Sequence, residues 1–180
     1  MGRIVSEAPP LPVALAELKA LVRVAVSDED ALLAAMARAA AEMCEAFTGR
    51  ALVERAVSEE LAVSRGWTRL GAAPVRAITG VEALGEDGAA TPLAAEAHAI
   101  DIDAADDGWV RVLDAGAASI VRVSYRAGMA ADANGVPEAL RHGIVRLAAH
   151  LYGARDGVRA SVPPVAVSAL WRPWRRLRLG

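Results

Sequence analysis

Apolar positions in this 180-residue chain follow two different periods. Between residues 28 and 48, Leu32, Leu33, Met36, Ala40, Met43 and Phe47 recur at helical spacing and predict a long Ala-rich helix. Ser27 is its expected N-cap, Asp28, Glu29 and Asp30 place acid in the first turn, and Gly49 is the expected left-handed stop. Upstream, after an extended start containing Pro9, Pro10 and Pro12, the residues Leu15, Leu18, Leu21 and Val22 predict a shorter helix over about 13–24. From about 51 to 126 the period falls to two. The stretches VSEELAVS, PVRAITGVEAL, AHAIDID, WVRVL and SIVRVSYRAG read as five strands separated by glycine- and aspartate-rich turns. Helical spacing returns over about 137–153, where Leu140, Ile144, Leu147, Ala148 and Leu151 form a stripe behind Pro137 and Glu138. Helices, then strands, then a helix imply an α+β fold with a small antiparallel β-region and an extended C-terminal arm. The expected division is one domain over 1–156, followed by a linker and docking arm over 157–180.

Composition removes several function classes. The chain is 54% apolar, but 42 of its residues are alanine, so its positive mean hydropathy is mild. No apolar run is long enough for a transmembrane helix, and the N-terminal apolar stretch is broken by Glu17, Lys19 and Arg23, unlike a secretory signal. The lone Cys44 excludes an internal disulfide and suits a reducing cytoplasm. No nucleophile elbow or phosphate-binding loop is present, and the single lysine, Lys19, follows no glycine loop. His142 and His150 are eight apart, about 80° around a helix, which does not suit two ligands of one metal. Asp101, Asp103, Asp106 and Asp107 have Ala105 and Asp106 where a calcium loop needs an oxygen ligand and glycine, so a hairpin turn is the better account. The expectation is a protein without metal, cofactor or enzymatic activity.

The terminal WRPWRRLRLG stands out against this background. Trp171 and Trp174 are two of four tryptophans, and Arg172, Arg175, Arg176 and Arg178 follow a stretch with no acid after Asp156. The formal net charge is −2, so the body without these four arginines is acidic. Trp and Arg are enriched at interface hot spots, so the tail reads as an arm for a protein partner. Other readings are a terminus whose tryptophans fold back onto the body, a membrane-surface contact, or a nucleic-acid-binding regulator using the arm on bases and phosphates.

Several local sequences then fall into one order. SDEDALLAAMARAAAEMCEAFTGRAL, preceded by Leu21-Val22-Arg23-Val24, resembles the start of the head–tail connector proteins of long-tailed bacteriophages. These are also called adaptor or head-completion proteins, and gene transfer agents carry them. Ala73-Pro74-Val75 with Ile78 and Val81 is similar to the family's "P-V-x-x-I-x-x-V" strand. Tyr125-Arg126-Ala127-Gly128 resembles its "Y-x-A-G", Val136-Pro137-Glu138-Ala139-Leu140 its "V-P-x-A-L", and Ala149-His150-Leu151-Tyr152 the end of its last helix. Ala169-Leu170-Trp171-Arg172-Pro173-Trp174-Arg175 is similar to its terminal "L-L-x-P-Y/W-R", whereas residues 176–180 run past the usual end.

The resemblance implies a structural adaptor without enzymatic activity, forming a homo-oligomeric ring, usually twelvefold, between portal protein and tail. Such a ring extends the channel, meets a tail-completion or stopper protein, and lets DNA pass without sequence-specific binding. It implies assembly in the cytoplasm, a final place in the particle neck, and no membrane. Leu170, Trp171, Arg172, Pro173, Trp174, Arg175, Arg176 and Arg178 are the expected portal-binding residues. Trp171 and Trp174 would enter apolar pockets of the portal, and deleting residues 169–180 would leave a folded protein unable to bind it.

Overall fold

Residues 4–154 and 163–176 are described in a computed structural model of the chain. It contains four α-helices and eight strands among these residues, and its contacts divide into two compact units. The mixed α+β class read from the sequence holds.

The first unit comprises residues 1–9 and 54–129 and is built on antiparallel sheets. Its strands are β1 (Ile4–Ser6), β2 (Arg55–Ala62), β3 (Thr68–Arg69), β4 (Val75–Leu84), β5 (Ala90–Pro92), β6 (His98–Ile102), β7 (Gly108–Val112) and β8 (Ile120–Ala127). Five form a sheet in the order β1-β2-β8-β4-β5, and three form a second sheet in the order β3-β7-β6. The five alternating stretches of the sequence became β2, β4, β6, β7 and β8. Pairing sets Val57 opposite Tyr125 and Leu61 opposite Val121, so alternate side chains of β2 and β8 enter one core with Leu70, Val75, Val81, Val110 and Val112. Strand β4 departs from simple alternation: Val75, Ile78 and Val81, three apart, all pack on this core. Irregularities in its pairing with β8 between Val75 and Ala77 and between Ile78 and Gly80 shift the phase each time.

Two carboxylates are buried among the described residues of this unit, Glu59 and Asp107. Glu59 Oε2 accepts hydrogen bonds from the Tyr125 hydroxyl (2.9 Å) and the Gly71 amide (2.8 Å), and the Tyr125 oxygen accepts from the Ala72 amide (3.1 Å). Buried polar groups are tolerable when partnered in this way. Burial raises the Tyr125 phenol above its ordinary pKa, and the charge of Glu59 adds to the effect. A side chain at Gly71 would meet Ile4 Cδ1 at 2.6 Å and Glu59 Oε1 at 3.2 Å, so the absent Cβ there lets the loop approach.

The second unit comprises residues 10–53 and 130–180 and holds α1 (Leu15–Val22), α2 (Asp30–Thr48), α3 (Glu138–Gly153) and α4 (Val165–Trp171). Leu18, Leu33, Ala37, Ala40, Cys44, Leu140, Ile144, Leu147, Val167 and Trp171 are all buried within it. Gly49 ends α2 in the left-handed conformation at φ 69°, as expected. The start differs from the expectation. Helix α2 begins at Asp30, and its N-cap is Glu29 without a side-chain cap. Asp28 and Glu29 therefore precede the helix, Asp30 pairs with Lys19 of α1 at 2.6 Å, and Glu29 accepts a hydrogen bond from the Tyr152 hydroxyl of α3. These acids tie helices together in addition to facing a helix dipole. Arg141 of α3 likewise reaches Glu17 of α1 at 2.6 Å.

Cys44 has no exposed surface, and burial pushes its thiol from 9.0 up to about 12, with Glu45 adding to the effect. A raised thiol pKa leaves the folded protein protonated where the unfolded chain ionises. The stabilisation is complete below about pH 9 and is lost as pH rises towards 12. At pH 8.5 the native protein should react with an aromatic disulfide reagent at least a hundredfold more slowly than the urea-unfolded chain. Comparable rates would show that Cys44 is open to solvent.

Candidate docking surface

The terminal segment is helical where an extended arm was expected. Pro163 and Pro164 lead into α4, and Arg172–Trp174 continues as one 3-10 turn. Residues 163–176 belong with the helical unit, so the expected boundary at 156 does not set them apart from it.

Trp171 is the fixed point. Its exposure is zero, its Nε1–H points to the Leu140 carbonyl at 3.4 Å, and its ring lies 5.8 Å from Phe47 at an interplanar angle of 57°. Gly143 of α3 makes room for it, since a Cβ at that position would lie 2.2 Å from Nε1. The expectation that Trp171 fills a pocket on a partner is therefore corrected. Its apolar surface is satisfied at home, as in the fold-back reading of the tail. Deleting residues 169–180 would remove part of the protein's own core, so that truncation cannot isolate partner binding.

Beyond Trp171 the chain runs over the end of α2. Arg50 Nε donates to the Trp174 carbonyl at 3.1 Å, the Arg176 amide donates to the Thr48 carbonyl at 2.8 Å, and the Arg175 guanidinium lies 5.7 Å from the Phe47 ring centroid. Thr48 lies near the end of α2, where terminal carbonyls lack helical partners, and the returning chain supplies one. Arg172, Pro173 and Arg175 are exposed, while Leu170, Trp174 and Arg176 are half-buried. Seven of the expected docking residues thus fall on one short segment, of which six present surface. Arg178 lies outside the described residues.

Candidate catalytic groups do not converge. Asp103 Oδ1 accepts from the amides of Ala105 (2.8 Å) and Asp107 (2.9 Å), and its Oδ2 accepts from the Trp109 indole (2.9 Å). Asp103, Asp106 and Asp107 lie at the turn between β6 and β7, which the Asp103 carboxylate ties together, and Asp101 sits in β6. His142 and His150 are both exposed, and His98 lies beside the Ala94 carbonyl at 3.0 Å. Among the described residues no three His, Cys, Asp or Glu side chains are grouped to hold a metal, and no helix is long and apolar enough to cross a membrane. What the sequence reading missed is Gly143, whose role depends on a tryptophan 28 positions away.

No protein-family model matches the chain, and no curated protein does. Solved structures do match over nearly its whole length. A chain in the neck of an empty gene transfer agent particle, computed with sixfold symmetry, is 28% identical with a TM-score of 0.77. The match covers 99% of this chain and 97% of that one. A chain in the virion of the native gene transfer agent particle gives the same values. A chain in the neck of the native particle, computed with twelvefold symmetry, is 27% identical with a TM-score of 0.72 over the same shares. These neighbours are parts of the neck and virion of a gene transfer agent particle.

Proposed function

We propose that this protein is an adaptor in the neck of a phage-like particle, a gene transfer agent or a phage, joining the portal to the tail as a ring of identical copies. The observation that carries the reading is the end-to-end likeness, at 28% identity, to chains of gene transfer agent necks. The acidic body agrees with a part that lets DNA pass without gripping it, because phosphates are held by clustered cations.

The portal contact is assigned to the rim of Leu170, Arg172, Pro173, Trp174, Arg175 and Arg176, with Arg178 two positions further along the chain. Exposed Arg172 and Arg175 supply planar donors for carboxylates, and Trp174 with Pro173 supplies apolar area between them. Trp171 contributes indirectly: it anchors the rim to α3 and fixes the direction in which the arginines project. The opposite side of the ring would meet a tail-completion or stopper protein. Assembly in the cytoplasm precedes incorporation into the neck.

Imaging particles from a strain that carries a tagged copy of this gene tests the reading. The expected result is label confined to the neck, in a cyclic ring between capsid and tail. Particles with intact necks that lack the label would overturn it.

A further inference from the structure

Helix α2 is apolar on more than the side it buries. Its buried face is Leu33, Ala37, Ala40, Ala41, Cys44 and Thr48. At 100° per residue, Leu32, Ala35, Met36, Ala39, Met43 and Ala46 share a neighbouring flank about 21 Å long. Leu32, Ala35 and Ala46 are exposed, and Met36, Ala39 and Met43 are half-exposed. A surface helix ordinarily sets charge on its outward side. The exposed charges of α2 are Arg38 and Glu42, which border this flank on one side only.

Charge is also divided unevenly along the chain. Residues 1–9 and 54–129 hold thirteen acids and eight bases, a net −5. Residues 10–53 and 130–180 hold nine acids and twelve bases, a net +3. Pairing two sheet units, or two helical units, sets like charge against like. Pairing the sheet unit of one copy with the helical unit of the next sets opposite charges together.

We propose that the Leu32–Ala46 flank of α2 is a contact between copies and receives the sheet unit of the adjacent copy. The inference rests on the ring reading above, because a closed cyclic ring uses two different surfaces on each protomer. The flank supplies apolar area without the long charged side chains that would need desolvation. The unlike charges of the two units select the head-to-tail pairing over a two-fold one.

The test uses the wild-type ring, in solution or on the particle, and a variant that reports the contact. Because Cys44 is buried, Ala39→Cys introduces an accessible thiol for a benzophenone maleimide. Irradiation of the assembled ring should join copies, with adducts mapping to residues 54–129 of the adjacent chain. Adducts within one chain, including to 155–162, or to another copy's residues 10–53, or to a different protein, would overturn the proposal. In parallel, Ala35→Arg with Ala39→Arg should reduce ring assembly at least tenfold while the circular-dichroism spectrum and Tm of the monomer stay unchanged. Undiminished assembly would also overturn it. Absence of any ring from the wild-type protein would overturn the adaptor reading itself, and this contact with it.

Discussion

Replacing Trp171 with alanine should destabilise the helical unit by about 3–5 kcal/mol, the usual cost of removing a fully buried indole. The ring is wholly buried against Phe47, Leu140 and Gly143, so the space it leaves would lie within the core. Gly143→Ala gives a sharper version because its expected sign is contrary to local propensity. In a helix interior, Gly to Ala ordinarily stabilises by about 1 kcal/mol. Here the new methyl would lie 2.2 Å from Nε1 and 2.9 Å from Cδ1 and Cε2 of Trp171, all parts of a rigid buried ring. Urea unfolding followed by far-ultraviolet circular dichroism should show a lower midpoint for both variants. A higher midpoint for Gly143→Ala would mean that the tryptophan is not seated on α3.

Arg172→Glu combined with Arg175→Glu should weaken binding to the portal by about 3 kcal/mol, roughly a hundredfold in Kd, while leaving the fold intact. Both side chains are exposed, so their replacement opens no cavity. Arg175 does face the Phe47 ring at 5.7 Å, and losing that contact costs about 0.5–1 kcal/mol. Arg172→Glu alone therefore separates docking from stability. Titration against the portal protein of the same particle, at fixed salt, checks the effect, and an unchanged Kd would remove these arginines from the interface. A loss confined to DNA binding, falling steeply with salt, would favour the nucleic-acid alternative.

The elements whose side chains repeat were legible in the sequence. The stripe of Leu140, Ile144 and Leu147 marked α3, and alternation in the sequence marked five of the eight strands, of which β2, β7 and β8 bury alternate side chains while β4 shifts phase and β6 buries none. Strands β1, β3 and β5 are two or three residues long, too short for a period to register. The start of α2 was misplaced because Asp28 and Glu29 have the composition of a first turn, while Glu29 is held by Tyr152, distant in sequence.

The docking segment was half legible. Its arginines and tryptophans were conspicuous by composition, and Arg172 and Arg175 do face solvent. The expectation failed on Trp171, because a tryptophan beside arginines has the same local signature whether it meets a partner or its own core. What decides is the gap at Gly143, and a glycine inside a helix does not announce which side chain will occupy the space above it. The motif-level likeness, spread from Leu21 to Arg175, located the fold more securely than any of those motifs singly. The full-length structural match agrees with it at the level of a gene transfer agent neck component.

The helical unit is interrupted in sequence, leaving at Val53 and resuming at Ala130, and these two residues meet in a parallel bridge. This interruption gives synthesis on the ribosome a definite order. Helices α1 and α2 emerge early, but α3, against which α2 packs, begins at Glu138, some ninety residues after α2 ends. Throughout that interval α2 has only α1 to pack against, whereas β4 can pair with β5, and β6 with β7, as they appear. A nascent stripe that is half alanine holds less exposed apolar area than one of leucine and isoleucine, and so is less prone to wrong association while it waits. The alanine content of α2 then serves the growing chain as well as the finished one.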